Sequence, residues 1–317
     1  MEIKETTFGH LSKSDNLTLS VMRIEPADPT EIKGIVQLVH GMNEYKERYR
    51  DFMNFLASNG YLTIIHDHRG HGHSVKNPDD LGYMYASGYV GIVKDIHEIT
   101  IVAKTYAERI TGRSDLPFIL LGHSMGSMAV RCYIRKFDDE IDKLCVIGSP
   151  SNQPAAKAGL IAIRLFEKIK GDRARMELVA GMVMGNYEKR FKKEGIPHSW
   201  VNSDLEEVKK YNADPYCNYC FTLNGFENLV KLTMLTYKDG GHQMKNPDLP
   251  IRFFSGEQDP CAVNTKAFMQ AVDFLKKQGY RDVEGKMYYN MRHEILNEPK
   301  HQSVYDDILA FINEQVL

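Results

Sequence analysis

The chain has no run of 18 apolar residues, no block of charge of one sign and few cysteines. The first absence leaves no segment able to cross a bilayer as a helix. The second, 40 basic against 42 acidic residues for a net charge of −2, leaves no electrostatic footprint for nucleic acid, and no nucleic-acid partner is expected. The opening MEIKETTFGH lacks the basic-then-apolar pattern of a secretory leader, so a soluble, cytoplasmic protein is expected. Five cysteines, an odd number spread from Cys132 to Cys261, make no disulfide framework and suit a reducing compartment. Cys217 and Cys220 form a C-x-x-C, but no second pair accompanies them, and core packing is the expected role. Internal repeats and low-complexity tracts are also missing.

What the sequence does have is a rhythm. GIVQLVHG, YLTIIHDH, PFILLG and KLCVIGSP are short apolar runs, each expected to be a buried strand. Between them Tyr45, Tyr49, Phe52, Met53 and Leu56 recur at helical spacing, as do Ile92, Ile96, Ile99, Ala103 and Tyr106, and then Met125, Met128, Ala129 and Cys132. Strands apolar throughout and separated by helices long enough to cross over predict a mostly parallel sheet with helices on both faces. The fold class is therefore α/β. From about Ser151 to Tyr237 the alternation stops and helical patterns follow one another; it resumes with IRFFSG, a helix near 264–278, GKMYYN and a last helix around VYDDILAFI. The parse is a first core part at 1–150, a helical cap inserted at 151–237, and a second core part at 238–317.

HDHRGHGHS at 66–74 sets His66, Asp67, His68, His71 and His73 close together, a composition that zinc accepts. If YLTIIHDH is a strand throughout, His66 and His68 take one face and Asp67 and Arg69 the other, so the set cannot converge on one ion. Arg69 adds a fixed positive charge. No metal and no cofactor are expected.

The chemistry points instead to PFILLGHSMGSMAV. A strand enters Gly122-His123-Ser124-Met125-Gly126 and a helix leaves it, the context in which G-x-S-x-G makes a nucleophile elbow. The turn is so tight that glycine is needed at 122 and 126, and the Met125 N–H at the helix start faces the place where an oxyanion would form. A serine needs a base, and the base an orienting carboxylate. Asp259 follows the strand IRFFSG and His293 follows GKMYYN, giving the order Ser, Asp, His. Glu257 and Asp282 are rival acids; His301 and His242 are rival bases. A second oxyanion donor is expected from LVHGMNEY, with the Met42 N–H as candidate and His40 as a hydrogen-bonding brace.

These motifs carry a resemblance. His40-Gly41, Glu44, Arg48 and Tyr49 form H-G-x-x-E-x-x-x-R-Y, and Asp67, Arg69, Gly70, His71, Gly72 and Ser74 form D-x-R-G-H-G-x-S. With GHSMG, SGEQDP and RHE they span nearly the whole core. The chain resembles the monoacylglycerol lipase and lysophospholipase branch of the serine α/β-hydrolases, grouped with the serine aminopeptidase family. The cap segment WVNSDLEEVKKYNADPYCNYCFT is similar to that of bacterial members known as lysophospholipases. The resemblance implies an α/β-hydrolase fold and carboxylic ester hydrolysis, with Ser124, Asp259 and His293 as triad and Met42 and Met125 as oxyanion donors.

The expected reaction is hydrolysis of lipid-like esters such as monoacylglycerols or lysophospholipids through an acyl-enzyme. The cap is rich in Met and aliphatics, and Leu178, Val179, Met182 and Met184 are the candidate acyl-pocket residues. Exposed apolar cap helices would give transient membrane or micelle contact. An aminopeptidase on the same scaffold would recruit cap carboxylates such as Asp204, Glu206 or Glu207. A short-chain esterase and a ligand-binding protein without turnover are the other readings.

Overall fold

The computed structural model describes residues 1–314, apart from the side chains of Gly185 and Asn186. Its centre is an 8-stranded sheet in the order β1-β2-β4-β3-β5-β6-β7-β8. The strands are β1 (Ile3–Leu11), β2 (Thr18–Pro26), β3 (Gly34–Val39), β4 (Tyr61–His66), β5 (Phe118–His123), β6 (Lys143–Ile147), β7 (Ile251–Gly256) and β8 (Val283–Tyr288). From β4 across to β8 every pairing is parallel, as the apolar runs predict. The antiparallel edge formed by β1 and β2 is new relative to the sequence reading. Its signal was present in the alternating exposure of β1, where one side faces solvent and period-2 patterning, not a continuous apolar run, marks the strand.

Helices cover both faces. On one side α1 (Arg50–Ser58) and α9 (Gln302–Asn313) set Phe52, Leu56, Tyr305 and Ile308 against Val36, Leu38, Ile119 and Leu121. On the other, α2 (Gly88–Thr111), α3 (Met125–Phe137) and α8 (Thr265–Gln278) set Ile96, Ala129 and Val272 among Val39, Leu120 and Phe253. Adjacent residues of one strand thus serve opposite cores. Between β6 and β7 the chain leaves the sheet for α4 (Ala156–Lys170), α5 (Glu177–Phe191), α6 (Leu205–Ala213) and α7 (Leu223–Thr236). Cys217 is buried beside Trp200, Val208 and Tyr211, and the cysteine thiols are free.

The histidine-rich stretch departs from expectation. β4 ends at His66 instead of continuing through His68; the Asp67 N–H still donates to the Ser20 carbonyl of β2 at 2.9 Å, while its carboxylate accepts from the Lys46 N–H at 2.7 Å, the Lys46 ammonium at 2.9 Å and the His73 N–H at 2.9 Å. Gly70 and Gly72 then turn the chain at positive φ, and a side chain at Gly70 would meet the Tyr83 backbone oxygen at 2.4 Å. The strand-alternation argument therefore covers His66 alone, and His68 sits 5.2 Å from it, ring to ring. His68 also packs on His40 at 4.3 Å, and its N–H donates to the His40 ring at 2.8 Å. The permanent charge of Arg69 is met inside the protein by Asp95 at 2.7 Å and Asp15 at 2.6 Å.

These rings are buried. Burial pulls the pKa of His66 down to about 3, helped by the nearby charges of His10 and Arg69, and that of His71 to about 4. Both ring nitrogens of His66 lack a protein partner. In the window between these values and the unfolded histidine value near 6.5, the unfolded chain binds protons that the native chain refuses. Native stability therefore falls as pH drops below about 6.5, by roughly 1.4 kcal/mol per pH unit for each such histidine. Urea unfolding at pH 7 and pH 5 should show this loss, and His66→Phe should shrink it by roughly one histidine's share; an undiminished loss would rule His66 out as a contributor.

Candidate active site

Ser124 is the single residue between β5 and α3, and its backbone lies at φ 52° and ψ −116°. Such a conformation costs a non-glycine residue about 1–3 kcal/mol and persists only where the surroundings impose it. Here they do. A side chain at 126 would sit 2.1 Å from the Val39 carbonyl oxygen, and one at 122 would sit 2.5 Å from that of Gly126. The Ser124 N–H donates to the Ile147 carbonyl at 2.9 Å, and its own carbonyl accepts from the Ser127 N–H at 3.0 Å and hydroxyl at 2.5 Å. The Met125 N–H opens α3 and has no intrahelical acceptor.

The loops after β7 and β8 deliver the other two groups. His293 Nε2 lies 2.8 Å from Ser124 Oγ, and His293 Nδ1 lies 3.0 Å from Asp259 Oδ2. Asp259 is fixed in turn: Oδ1 accepts from the Cys261 N–H at 2.8 Å, and Oδ2, the oxygen facing His293, accepts from the Ser255 hydroxyl at 3.2 Å. Asp259 and His293 are almost wholly buried, while Ser124 stays partly open to the cavity above it. The rival groups lie elsewhere. Asp282 pairs with Arg252 at 2.5 Å, Glu257 is exposed, His301 opens α9 with its ring against the Glu298 carbonyl, and His242 packs by Tyr280.

Beneath the serine lies a group to which the sequence reading gave no role. Glu44 Oε2 accepts from the Gly41 N–H at 2.5 Å, the Tyr49 hydroxyl at 2.8 Å and His123 Nδ1 at 3.0 Å. Burial alone would raise the Glu44 pKa, but the His123 and Arg48 charges and the His123 hydrogen bond hold it well below the carboxylate range. Burial likewise opposes a charge on His123, yet Glu44 pushes its pKa up to about 9. The pair is a carboxylate and an imidazolium at neutral pH, and His123 Nε2 is left to donate to the His293 carbonyl at 3.2 Å. Burial also pushes Glu294 above its usual value, against the pull of Arg48 at 2.5 Å. The H-G-x-x-E spacing was the available signal: three residues after Gly41, a side chain can turn back onto that glycine's N–H.

A cavity of about 380 Å³ opens over Ser124. Met42, Met125, Val179, Met182, Val183 and Met184 are in its lining, so three of the four cap positions expected there are in place. Leu178 is not: it points outward from α5 and is 61% exposed, because its neighbour Val179 occupies the inward face of the helix and is fully buried. Trp200 and Tyr187 are lining residues the sequence reading missed. Asp204, Glu206 and Glu207 do not line it; Glu206 and Glu207 pair with Lys209 and Lys210 on the outer surface of α6. Among the described residues, the three side chains of metal-ligand type that converge within 4.8 Å are Asp259, Cys261 and His293, not the histidines of 66–73. Two of those three are already joined by a hydrogen bond.

Comparison with known proteins agrees with this architecture. Residues 30–300 match the family described as serine aminopeptidase, S33. Among relatives, a monoacylglycerol lipase of Mycolicibacterium smegmatis is 25% identical over 284 residues, 89% of each chain. A phospholipase of Bacillus subtilis is 21% identical over 290 residues, 89% of this chain and 96% of that one. Among solved structures, a thermostable carboxyl esterase from Bacillus coagulans in complex with glycerol superposes with a TM-score of 0.84 at 24% identity, covering 99% of this chain and 98% of that chain. The chain belongs to the serine aminopeptidase, S33, family and is a hydrolase of the lipase and esterase type on the α/β-hydrolase fold.

Proposed function

We propose that the chain hydrolyses carboxylic esters of single-chain lipids through an acyl-enzyme, with Ser124 as nucleophile, His293 as base and Asp259 as its orienting acid. The observation that carries this reading is the relay at 2.8 Å and 3.0 Å, reached from a serine held at φ 52°. His293 takes the Ser124 proton as the oxygen attacks the ester carbonyl. The charge that develops on the carbonyl oxygen falls to the N–H groups of Met42 and Met125. The alcohol then leaves with the proton from His293, and water, deprotonated by the same ring, releases the acid and restores the serine. The expected cap is residues 151–237, and no cofactor or metal is needed for these steps.

The cavity supports a lipid acyl chain. Its walls are Met and aliphatic side chains for the most part, and methionine adapts to chains of different length. No Lys or Arg is among the lining residues, so a phosphate head group would enter without a counter-charge. That favours a neutral alcohol such as glycerol over a phosphorylated one. The two carboxylates at the cavity floor, Glu44 and Glu294, are engaged with His123 and Arg48 and are not free to hold a substrate amine, which counts against a peptidase. Contact with lipid surfaces has support as well. Ile161, Leu165 and Ile169 form one stripe of α4, and Leu178 and Met182 one of α5, all more than half exposed.

Two outcomes test this function. Ser124→Ala should lose turnover of p-nitrophenyl butyrate by roughly 10⁴-fold or more and lose covalent labelling by a fluorophosphonate probe; labelling that survives would place the nucleophile elsewhere. In a series of monoacylglycerols, kcat/KM should rise from acetate to octanoate. Val179→Trp should cut the octanoate value by roughly tenfold or more and leave acetate nearly unchanged. Equal losses on both esters would show that Val179 does not bound the acyl pocket.

A further inference from the structure

The loop that carries His293 is held from two sides, by the core and by the cap. From the core, the Met291 carbonyl accepts from the Gln258 N–H at 2.9 Å, the His293 carbonyl faces His123 Nε2 at 3.2 Å, Glu294 pairs with Arg48 at 2.5 Å and the Leu296 carbonyl accepts from the Tyr305 hydroxyl at 3.1 Å. A second set of its polar groups reaches across to residues 194–203, between α5 and α6. The His293 N–H donates to the Trp200 carbonyl at 3.4 Å and the Glu294 N–H to the Val201 carbonyl at 2.8 Å. Arg292, nearly buried, donates to the carbonyls of Ser199 at 2.5 Å and Asn202 at 3.1 Å and pairs with Glu194 at 2.5 Å. Asn202 donates back to the Asn297 carbonyl at 2.8 Å. Glu298 accepts from the Ser203 N–H at 3.0 Å and from the Arg292 N–H at 2.7 Å, and the Ser203 hydroxyl also bonds it.

The ring of the base is treated in the same way. The Trp200 indole packs on the His293 imidazole at 5.0 Å between centroids, and is itself fixed by Tyr187 at 5.1 Å and by Nε1–H donation to Glu188 at 3.1 Å. Glu188 also accepts the His198 N–H at 3.1 Å, so α5 braces both ends of the turn that presents Trp200.

We propose that residues 194–203 are a positioning strap for the base, with Arg292 as the anchor between strap and loop and Trp200 as the surface that sets the imidazole plane. This rests on His293 being the base. The cap then does more than enclose the acyl chain: it completes the geometry of proton transfer, and displacing this segment misplaces Nε2 relative to Ser124. A shift of about 1 Å at such a site costs roughly 10²-fold in rate.

Trp200 is the only tryptophan in the chain, so the test has its own optical signal. A protonated imidazole quenches an adjacent indole, whereas the neutral ring does so far less. Native emission should fall on acidification over the same pH range as the acid limb of kcat/KM, and the step should be absent from His293→Ala. In Arg292→Ala, kcat on p-nitrophenyl butyrate should fall roughly 10²-fold with KM within about threefold, and the fluorescence step should lose amplitude in parallel. Arg292→Lys should restore part of both, and Asn202→Ala, a milder cut, should lose both to a smaller degree. It carries the test if Arg292→Ala does not fold. Native kcat with a full fluorescence step in Arg292→Ala and Asn202→Ala overturns the proposal, as does a rise in KM alone. Failure of the acyl-enzyme reading looks different: Ser124→Ala would retain turnover while the strap variants still lost the step.

Discussion

Three loops that meet at Ser124 are joined through one buried carboxylate, that of Glu44. It takes the Gly41 N–H from the loop after β3 and the His123 ring from the end of β5, and through His123 it reaches the backbone of the loop after β8. A buried ion pair of this kind adds little net stability, since desolvation offsets most of the attraction. Its effect is on geometry. Once charged, the carboxylate must keep its donors, and each donor fixes a different loop of the site. Removing either partner would leave an uncompensated charge beneath Ser124, which costs far more than the pair contributes.

The histidine-rich stretch belongs to the same layer of the molecule. His40 ends the strand before the Gly41 loop, and its ring accepts from the His68 N–H while its carbonyl lies 3.1 Å from His68 Nε2. Rings that suggested a metal site in the sequence pack in tilted and edge-on contact beside the loop after β3, and burial holds their pKa values down. Asp67 and Arg69, the charged residues among them, are each met by an opposite charge, Lys46 for the one and Asp15 and Asp95 for the other. A compact supporting layer results, in which imidazole supplies hydrogen bonds and bulk without a net charge to be buried.

Much of this was legible in the amino-acid order. The central strands read directly because parallel strands covered on both faces must be apolar throughout. Ser124, Asp259 and His293, which the fold brings into hydrogen-bond contact, could be picked out as candidates because each follows the end of a strand, by one, three and five residues. β1 escaped because an edge strand half in solvent carries a weaker, alternating signal, and Leu178 was misplaced because adjacent residues on one helix face opposite ways. The end of β4 was misread for a different reason: the Asp67 carboxylate is taken up by Lys46, a residue far from it in sequence, and by the His73 N–H across the turn, and no local pattern records such partners. Trp200 was missed for the same cause, since its contact with His293 spans most of the second half of the chain.

The cap is not mechanically uniform, and the division follows from what each part buries. Residues 194–203 and α6 contribute Trp200, Val201, Val208 and Tyr211 to a small core and exchange several buried hydrogen bonds with the loop after β8. In α4 the buried side chain is Ile163, and α5 adds Val179, while both helices expose apolar stripes. Local opening free energy follows buried apolar contact and protected polar bonds, so the α4 and α5 side is the part that opens at least cost. Because the cavity lies between these helices and Ser124, that is also the side by which the acyl chain of the proposed substrate would enter. Entry by the opposite side would break bonds that hold the His293 loop, and the proposed base would be displaced at the moment its substrate arrived.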